Sequence, residues 1–288
     1  MSRPREPLVL AWATDLHLDM ARSRHVRHFM ASVRDSGADA VLVGGDTATA
    51  VDVAERLCEL ADATGLATYF VLGNHDFYRG SVASVRARAS ALGRPGVQWL
   101  PASGPRELAP GVVLVGHDGW GDARIGNFAG SDVVLTDYLL IEELSRCFRP
   151  EAFQGSFGER SALQDALLQL GADAATTLAP HLAAAAAPGR HVIVLTHVPP
   201  FREACWHEGR ISDDHWLPGF TCGAMGELLA ATARGHPDCR FTVLCGHTHG
   251  SGAACIAPNL IVHTQGATYG NPRWLRLEVT LDEVRIAG

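Results

Sequence analysis

Apolar residues in the first hundred positions fall in short unbroken runs, separated by stretches of helical spacing. Leu8 to Thr14, Ala40 to Val43 and Ala67 to Leu72 are such runs, bounded by Asp, Gly or Asn. Short apolar runs between turn residues suit strands buried on both faces, as in a sheet covered by helices. The intervening stretches Ala21 to Asp35, Val51 to Thr64 and Ser81 to Ala91 predict helices. Val97 to Leu100 and Val112 to Val115 read as further strands. From Gly116 to Gly158 the pattern breaks into a glycine-rich, irregular stretch with one helix, Thr136 to Cys147. A loop that long inside a compact domain is usually functional. Ser161 to Ala187 predicts a helix ended by Pro188-Gly189. Strands return at His191 to Leu195 and Phe241 to Cys245, and several short ones fill Ala253 to Ile286. A βα-rich first half and a strand-rich later half predict an α/β fold of two packed sheets with helices outside. No repeat or linker divides the chain. Residues 1–288 therefore read as a single domain, with an insert at about 116–158 and a lid-like loop at about 201–220.

Composition narrows the chemistry. All 24 basic residues among the 288 are arginine. The absence of lysine excludes a Walker A phosphate site, a Schiff base and a Ser-Lys dyad. The net charge of -7 argues against broad nucleic-acid binding, which needs basic residues on phosphates. An anionic substrate remains compatible, because bound metal ions can dominate a local field. The seven cysteines are odd in number and contain no C-x-x-C pair, which suits reduced thiols and a cytoplasmic setting. The N-terminal apolar run meets Asp15 instead of a small-residue cleavage site, and no run approaches membrane-spanning length.

Five strands are each followed by a polar residue able to bind metal. LVLAWAT leads to Asp15 and His17, AVLVGG to Asp46, and YFVLG to Asn74, His75 and Asp76. HVIVLT leads to His197, and FTVLCG to His247 and His249. Each has an ordinary alternative: a turn carboxylate, a helix cap, a turn amide or a satisfied loop histidine. Five coincidences together are a poor explanation, because the carboxyl ends of strands are where α/β sheets place their sites. The seven candidate ligands Asp15, His17, Asp46, Asn74, His197, His247 and His249 are too many for one tetrahedral zinc. Two ions sharing a carboxylate satisfy the count. Oxygen and imidazole donors without thiolate suit Mn, Fe or Zn, and such a pair fits phosphoryl hydrolysis.

In order and spacing, Asp15-x-His17, Gly45-Asp46, Gly73-Asn74-His75-Asp76, His197 and Gly246-His247-x-His249 resemble the five blocks of the calcineurin-like metallophosphoesterases. His17 and Asp46 stand 29 residues apart, Asp46 and Asn74 28, and His197 and His247 50. The resemblance anchors residues 8–76 and 191–250 and leaves the middle third without motifs. It implies two mixed β-sheets flanked by helices, a four-layer αββα sandwich. It also implies two divalent or trivalent ions, one held by Asp15, His17 and His249 and the other by Asn74, His197 and His247. Asp46 would bridge them. His75 would protonate the leaving oxygen or stabilise transition-state charge, with Asp76 orienting its ring; the alternative for His75 is a prop for Asn74.

Departures narrow the branch. Thr47-Ala48-Thr49 follows Asp46, where phosphoprotein phosphatases carry an Arg and purple acid phosphatases an iron-binding Tyr. Asp76 replaces the Glu of the former, and His75 stands where lipid A pathway hydrolases tend to have Arg. What remains is similar to the cyclic-nucleotide phosphodiesterase-like and small phosphatase branch. The expected activity is hydrolysis of a small phosphomonoester or phosphodiester by a metal-held hydroxide, with no membrane partner. A nuclease of the same fold and a non-catalytic metal-binding scaffold are the alternatives. His117 and Trp120, after the Val112 strand, are candidates for substrate contact, with a turn and a core tryptophan as the alternative. Asp137-Tyr138 is expected to hydrogen-bond within the insert.

Overall fold

The computed structural model describes residues 7–150 and 161–287. The chain opens with β1 (Leu8–Ala13), α1 (Ser23–Arg34), β2 (Ala40–Gly44), α2 (Val53–Thr64) and β3 (Ala67–Val71). It continues through α3 (Val82–Ser90), β4 (Val97–Trp99), α4 (Leu100–Ser103), β5 (Arg106–Ala109) and β6 (Val112–His117). Two short helices follow, α5 (Asp137–Leu140) and α6 (Glu142–Cys147), then the long α7 (Ser161–Ala185) and β7 (His191–Thr196). The hairpin β8 (Trp206–His207) and β9 (Arg210–Ile211) precedes α8 (Leu217–Phe220), α9 (Gly223–Gly235) and β10 (Arg240–Cys245). The last strands are β11 (Gly252–Ala257), β12 (Leu260–Thr264), β13 (Leu275–Val279) and β14 (Val284–Ala287).

Two six-stranded mixed sheets result, in the orders β14-β13-β1-β2-β3-β4 and β11-β12-β10-β7-β6-β5. In the first sheet β1 to β4 run parallel, and β13 and β14 close one edge antiparallel. In the second, β6, β7, β10 and β12 run parallel between antiparallel β5 and β11. Alternation along the strands builds the layers. Leu10 and Trp12 of β1 point to the inter-sheet core with Leu42, Leu114, Ile193, Leu195 and Leu244. Ala11 and Ala13 point the other way, into a cluster with Phe29 and Val33 of α1 and Leu57 of α2. On the far side α7 and α9 cover the second sheet through Leu178, Leu182 and Leu229. Burying both faces is what the unbroken apolar runs require. The predicted αββα sandwich is therefore the observed fold.

The parallel strands share a direction, so the carboxyl ends of β1, β2, β3, β7 and β10 open onto one rim. Register aligns them: Ala13 faces Val43, Gly44 faces Val71, and Leu244 faces Leu195. That alignment carries the polar residues after each strand to a common place. Two details differ from the sequence expectation. The helix predicted over Thr136 to Cys147 is broken at Ile141, whose extended backbone (φ -107°, ψ 126°) separates α5 from α6. Helix α9 is not predicted by the sequence pattern; its glycines at 223, 226 and 235 mask the helical spacing. Part of the insert expected at 116–158 lies outside the described residues. Among the described residues, no helix is long and apolar enough to cross a membrane.

Candidate metal centre

The turns that leave β1, β2 and β10 are conformationally costly. Among the described residues, eight non-glycine positions have positive φ. Five of them are Asp15 (52°), His17 (41°), Asp46 (52°), His247 (70°) and His249 (58°). Left-handed backbone outside glycine costs of order 1–3 kcal/mol per residue and gathers at functional sites. The glycines of the motifs let these turns approach one another. A Cβ on Gly73 would collide with the Asp46 carboxylate, and one on Gly246 with that of Asp15.

All seven candidate ligands converge. On one side, His249 Nε2 lies 3.3 Å from Asp15 Oδ1 and 3.4 Å from His17 Nε2. On the other, Asn74 Oδ1 lies 3.1 Å from His197 Nε2 and 3.0 Å from His247 Nδ1, and those two nitrogens are 3.2 Å apart. Asp46 stands between, with Oδ2 3.8 Å from His17 Nε2 and Oδ1 3.4 Å from His197 Nε2. Ligand atoms of Asp15, His17 and His249 all lie within 4.8 Å of one another, as do those of Asp15, Asp46 and His197. His17, Asp46 and His75 form a third such group.

The protons of three groups at this centre are committed elsewhere. His197 Nδ1 donates to Gly44 O at 2.9 Å, and His247 Nε2 donates to Gly219 O at 3.0 Å. The Asn74 amide nitrogen donates to Asp137 at 2.8 Å. The remaining faces of these groups are lone pairs, and three of them meet within 3.2 Å. Burial pushes His17 and His247 down to about 3, so neither supplies a proton near neutrality. Burial, then the charges of Asp15 and Asp76, push Asp46 well above the usual carboxylate range. Burial works upward on Asp15 as well, but its hydrogen bond to His249 and the nearby histidines hold it well below that range. Buried lone pairs crowded this closely repel one another, and a cation among them removes the repulsion. The donor set thus fits two metal ions with Asp46 between them.

His75 and Asp76 occupy different surroundings from those expected. The His75 ring packs edge-on against His17 at 4.6 Å and stacks on Tyr78 at 4.2 Å. Its buried Nδ1 has no hydrogen-bond partner among the described residues. Asp76 does not orient it. Asp76 Oδ1 accepts from the Thr47 and Ala48 amides at 2.9 Å each, and Oδ2 from the Gly73 amide at 2.8 Å. Buried backbone N–H groups must find acceptors, and Asp76 satisfies those of the two neighbouring turns. Its carboxylate holds the backbone on which Asp46 and Asn74 stand.

His117 and Trp120 also depart from expectation. Both are 3% exposed. Trp120 packs against Phe77 at 5.4 Å and backs a small void behind Asn74, His197 and His247, away from the open side of the centre. The glycine-rich turn after β6 folds inward instead of toward solvent, so these residues are core and not cleft. The open side is a cavity of about 260 Å³ whose walls include His75, Asp137, His207, Phe220 and Tyr269. Tyr269 lies over His17 at 4.5 Å and His249 at 4.8 Å, and Phe220 meets His247 edge-on at 5.2 Å. Neither Tyr78 nor Tyr269 belongs to a motif, so nothing in the sequence singles them out. His207 and Phe220 lie in the segment expected as a lid.

Known proteins resemble this chain in family pattern and in fold. The model of the calcineurin-like phosphoesterase family matches residues 8–251. A dimetal phosphatase from Danio rerio superposes with a TM-score of 0.56 at 14% identity, covering 95% of this chain and 93% of the other. A phosphopantetheinyl hydrolase from Mycobacterium tuberculosis gives 0.61 at 15% identity, with 93% and 95% covered. The protein TT1561 of Thermus thermophilus gives 0.51 at 15% identity, with 98% of each chain covered. Among curated proteins, none matches the sequence.

Proposed function

The chain belongs to the calcineurin-like phosphoesterase family, and from that premise we propose that it is a two-metal hydrolase of small phosphomonoesters or phosphodiesters. The observation that carries this reading is the meeting of Asn74 Oδ1, His197 Nε2 and His247 Nδ1 with no proton among them, beside Asp15, His17 and His249 and across Asp46. Bound there, Mn, Fe or Zn ions would polarise a phosphoryl oxygen and lower the pKa of a water that attacks phosphorus. Asp15, His17 and His249 would hold one ion, Asn74, His197 and His247 the other, and Asp46 both.

The chain's own groups do the rest. The backbone carbonyls of Gly44 and Gly219 fix the tautomers of His197 and His247, so the nitrogens facing the centre are basic. His75 stands beside the His17 set on the cavity wall, where its ring can reach an ester oxygen. Tyr269 and Phe220 supply apolar wall for the organic part of the ester. The cavity is slightly smaller than the roughly 300–1,000 Å³ of drug-sized ligand pockets, which favours a small ester. No arginine is among the described residues lining it, which weighs against the nuclease reading. The scaffold reading would be expected to come with lost ligands or a lost His75, and the retention of Asp15, His17, Asp46, Asn74, His75, His197, His247 and His249 weighs against it.

The test is turnover. Protein stripped by a chelator and then loaded with Mn²⁺ should hydrolyse at least one member of a panel of nucleotide, cyclic nucleotide and aryl phosphoesters. Activity should vanish with the chelator and return with the metal. Metal-loaded protein inert across the panel would leave the scaffold standing.

A further inference from the structure

Asp137 opens α5, 63 residues beyond Asn74, and its side chain is 5% exposed. The segment carrying it is pinned to the turn after Asn74. Arg79 N donates to Leu140 O at 2.8 Å, Glu142 N donates to Gly80 O at 3.0 Å, and Gly80 and Ile141 form a parallel bridge. The Glu143 carboxylate accepts from Val82 N at 2.9 Å and Ala83 N at 3.2 Å, at the start of α3. So braced, one oxygen of Asp137 accepts from Asn74 Nδ2 and from the Tyr78 hydroxyl, both at 2.8 Å. Tyr78 is the ring on which His75 stacks.

The two ends of a carboxamide are nearly equal in shape and opposite in polarity. If the Asn74 amide turned over, its NH₂ would meet the lone pairs of His197 Nε2 and His247 Nδ1, a satisfying arrangement that leaves no place for an ion. An acceptor at position 137 opposes that flip, because it demands the NH₂ on its own side. We propose that Asp137 is a positioning residue that locks the Asn74 oxygen toward the second ion position. The segment after β6 thereby sets the affinity of that position. This rests on the two-ion reading above. The sequence expectation has Asp137 bonding within its own insert, and the contacts to Asn74 and Tyr78 give it a partner outside.

The experiment is Mn²⁺ titration of the chelator-stripped full-length protein by calorimetry, without substrate. Wild type should bind two ions. In Asp137→Ala one of them should weaken about 10- to 100-fold, the size of effect seen when a partner of a ligand is removed, while the other keeps its affinity. Asp137→Asn should bind closer to wild type, because its carbonyl oxygen can accept from both donors. Asp137→Glu keeps the charge but displaces the acceptor, so it should resemble Asp137→Ala; it also serves if Asp137→Ala does not fold. An Asp137→Ala or Asp137→Glu isotherm equal to wild type would overturn the proposal. So would an Asp137→Asn loss as deep as that of Asp137→Ala, since charge and not position would then matter. Wild-type protein that bound no metal would instead defeat the two-ion reading itself.

Discussion

Asp46 offers one carboxylate oxygen to His17 and the other to His197, and His75, on the turn after β3, stands on the cavity wall. What His75 does depends on its charge. Burial, then the neighbouring His197, push it down to about 4. Cations bound at the centre would act in the same direction, so its ring is expected to be uncharged at neutral pH. An uncharged imidazole stabilises a developing oxyanion through its N–H and is a poor proton source. His75→Asn should therefore slow alkyl and p-nitrophenyl esters by comparable factors, of about 10²–10³ as for loss of one oxyanion donor. The check is the ratio of kcat/KM between the two esters in each protein. A loss confined to the alkyl ester would restore the proton-donor role. At this scale the sequence is most legible where one residue type has few uses, as for Gly246-His247-x-His249. It is least legible for Asp76, because a carboxylate that caps backbone amides and one that orients a ring look alike in sequence.

The elements explain the rest of that difference. Strands buried on both faces announce themselves, and β1, β2, β3, β7 and β10 stand where the apolar runs place them. Their parallel register makes the convergence of seven distant residues a consequence of topology. Helix α9 and the broken pair α5 and α6 are obscured by glycines and by a bend that only tertiary contact selects. The walls of the cavity come from such segments. Phe220 ends α8, His207 lies in the β8–β9 hairpin, and Tyr269 stands in the turn between β12 and β13. No local pattern relates these residues, because their proximity is created by the packing of loops at one rim. The same holds for Asp137 and Asn74, whose hydrogen bond joins a motif to a segment without one.

For the whole molecule, the buried histidines couple stability to pH. His117 lies outside the centre, and burial pushes it down to about 4. An unfolded histidine binds a proton near pH 6.5, so between roughly pH 6.5 and pH 4 the unfolded chain holds more protons than the folded one. Its contribution to stability is complete above that window and is lost as pH falls through it, by about 3 kcal/mol. The histidines of the metal-free centre add to the same slope. The raised carboxylates Asp46 and Asp76 slope the other way, so the check is the variant. In urea unfolding of chelated protein, the change from pH 7 to pH 4 should be less destabilising in His117→Asn than in wild type. An equal change in the two proteins would remove His117 from the account.

Anomalous scattering from a Mn²⁺-loaded crystal would show whether this rim holds two ions joined by Asp46. Two peaks per chain are expected about 3.5–4 Å apart, the spacing of two-metal hydrolytic sites. One should lie against Asp15, His17 and His249, the other against Asn74, His197 and His247, with an Asp46 oxygen on each. A single peak, or two peaks that Asp46 does not join, would contradict the two-ion reading.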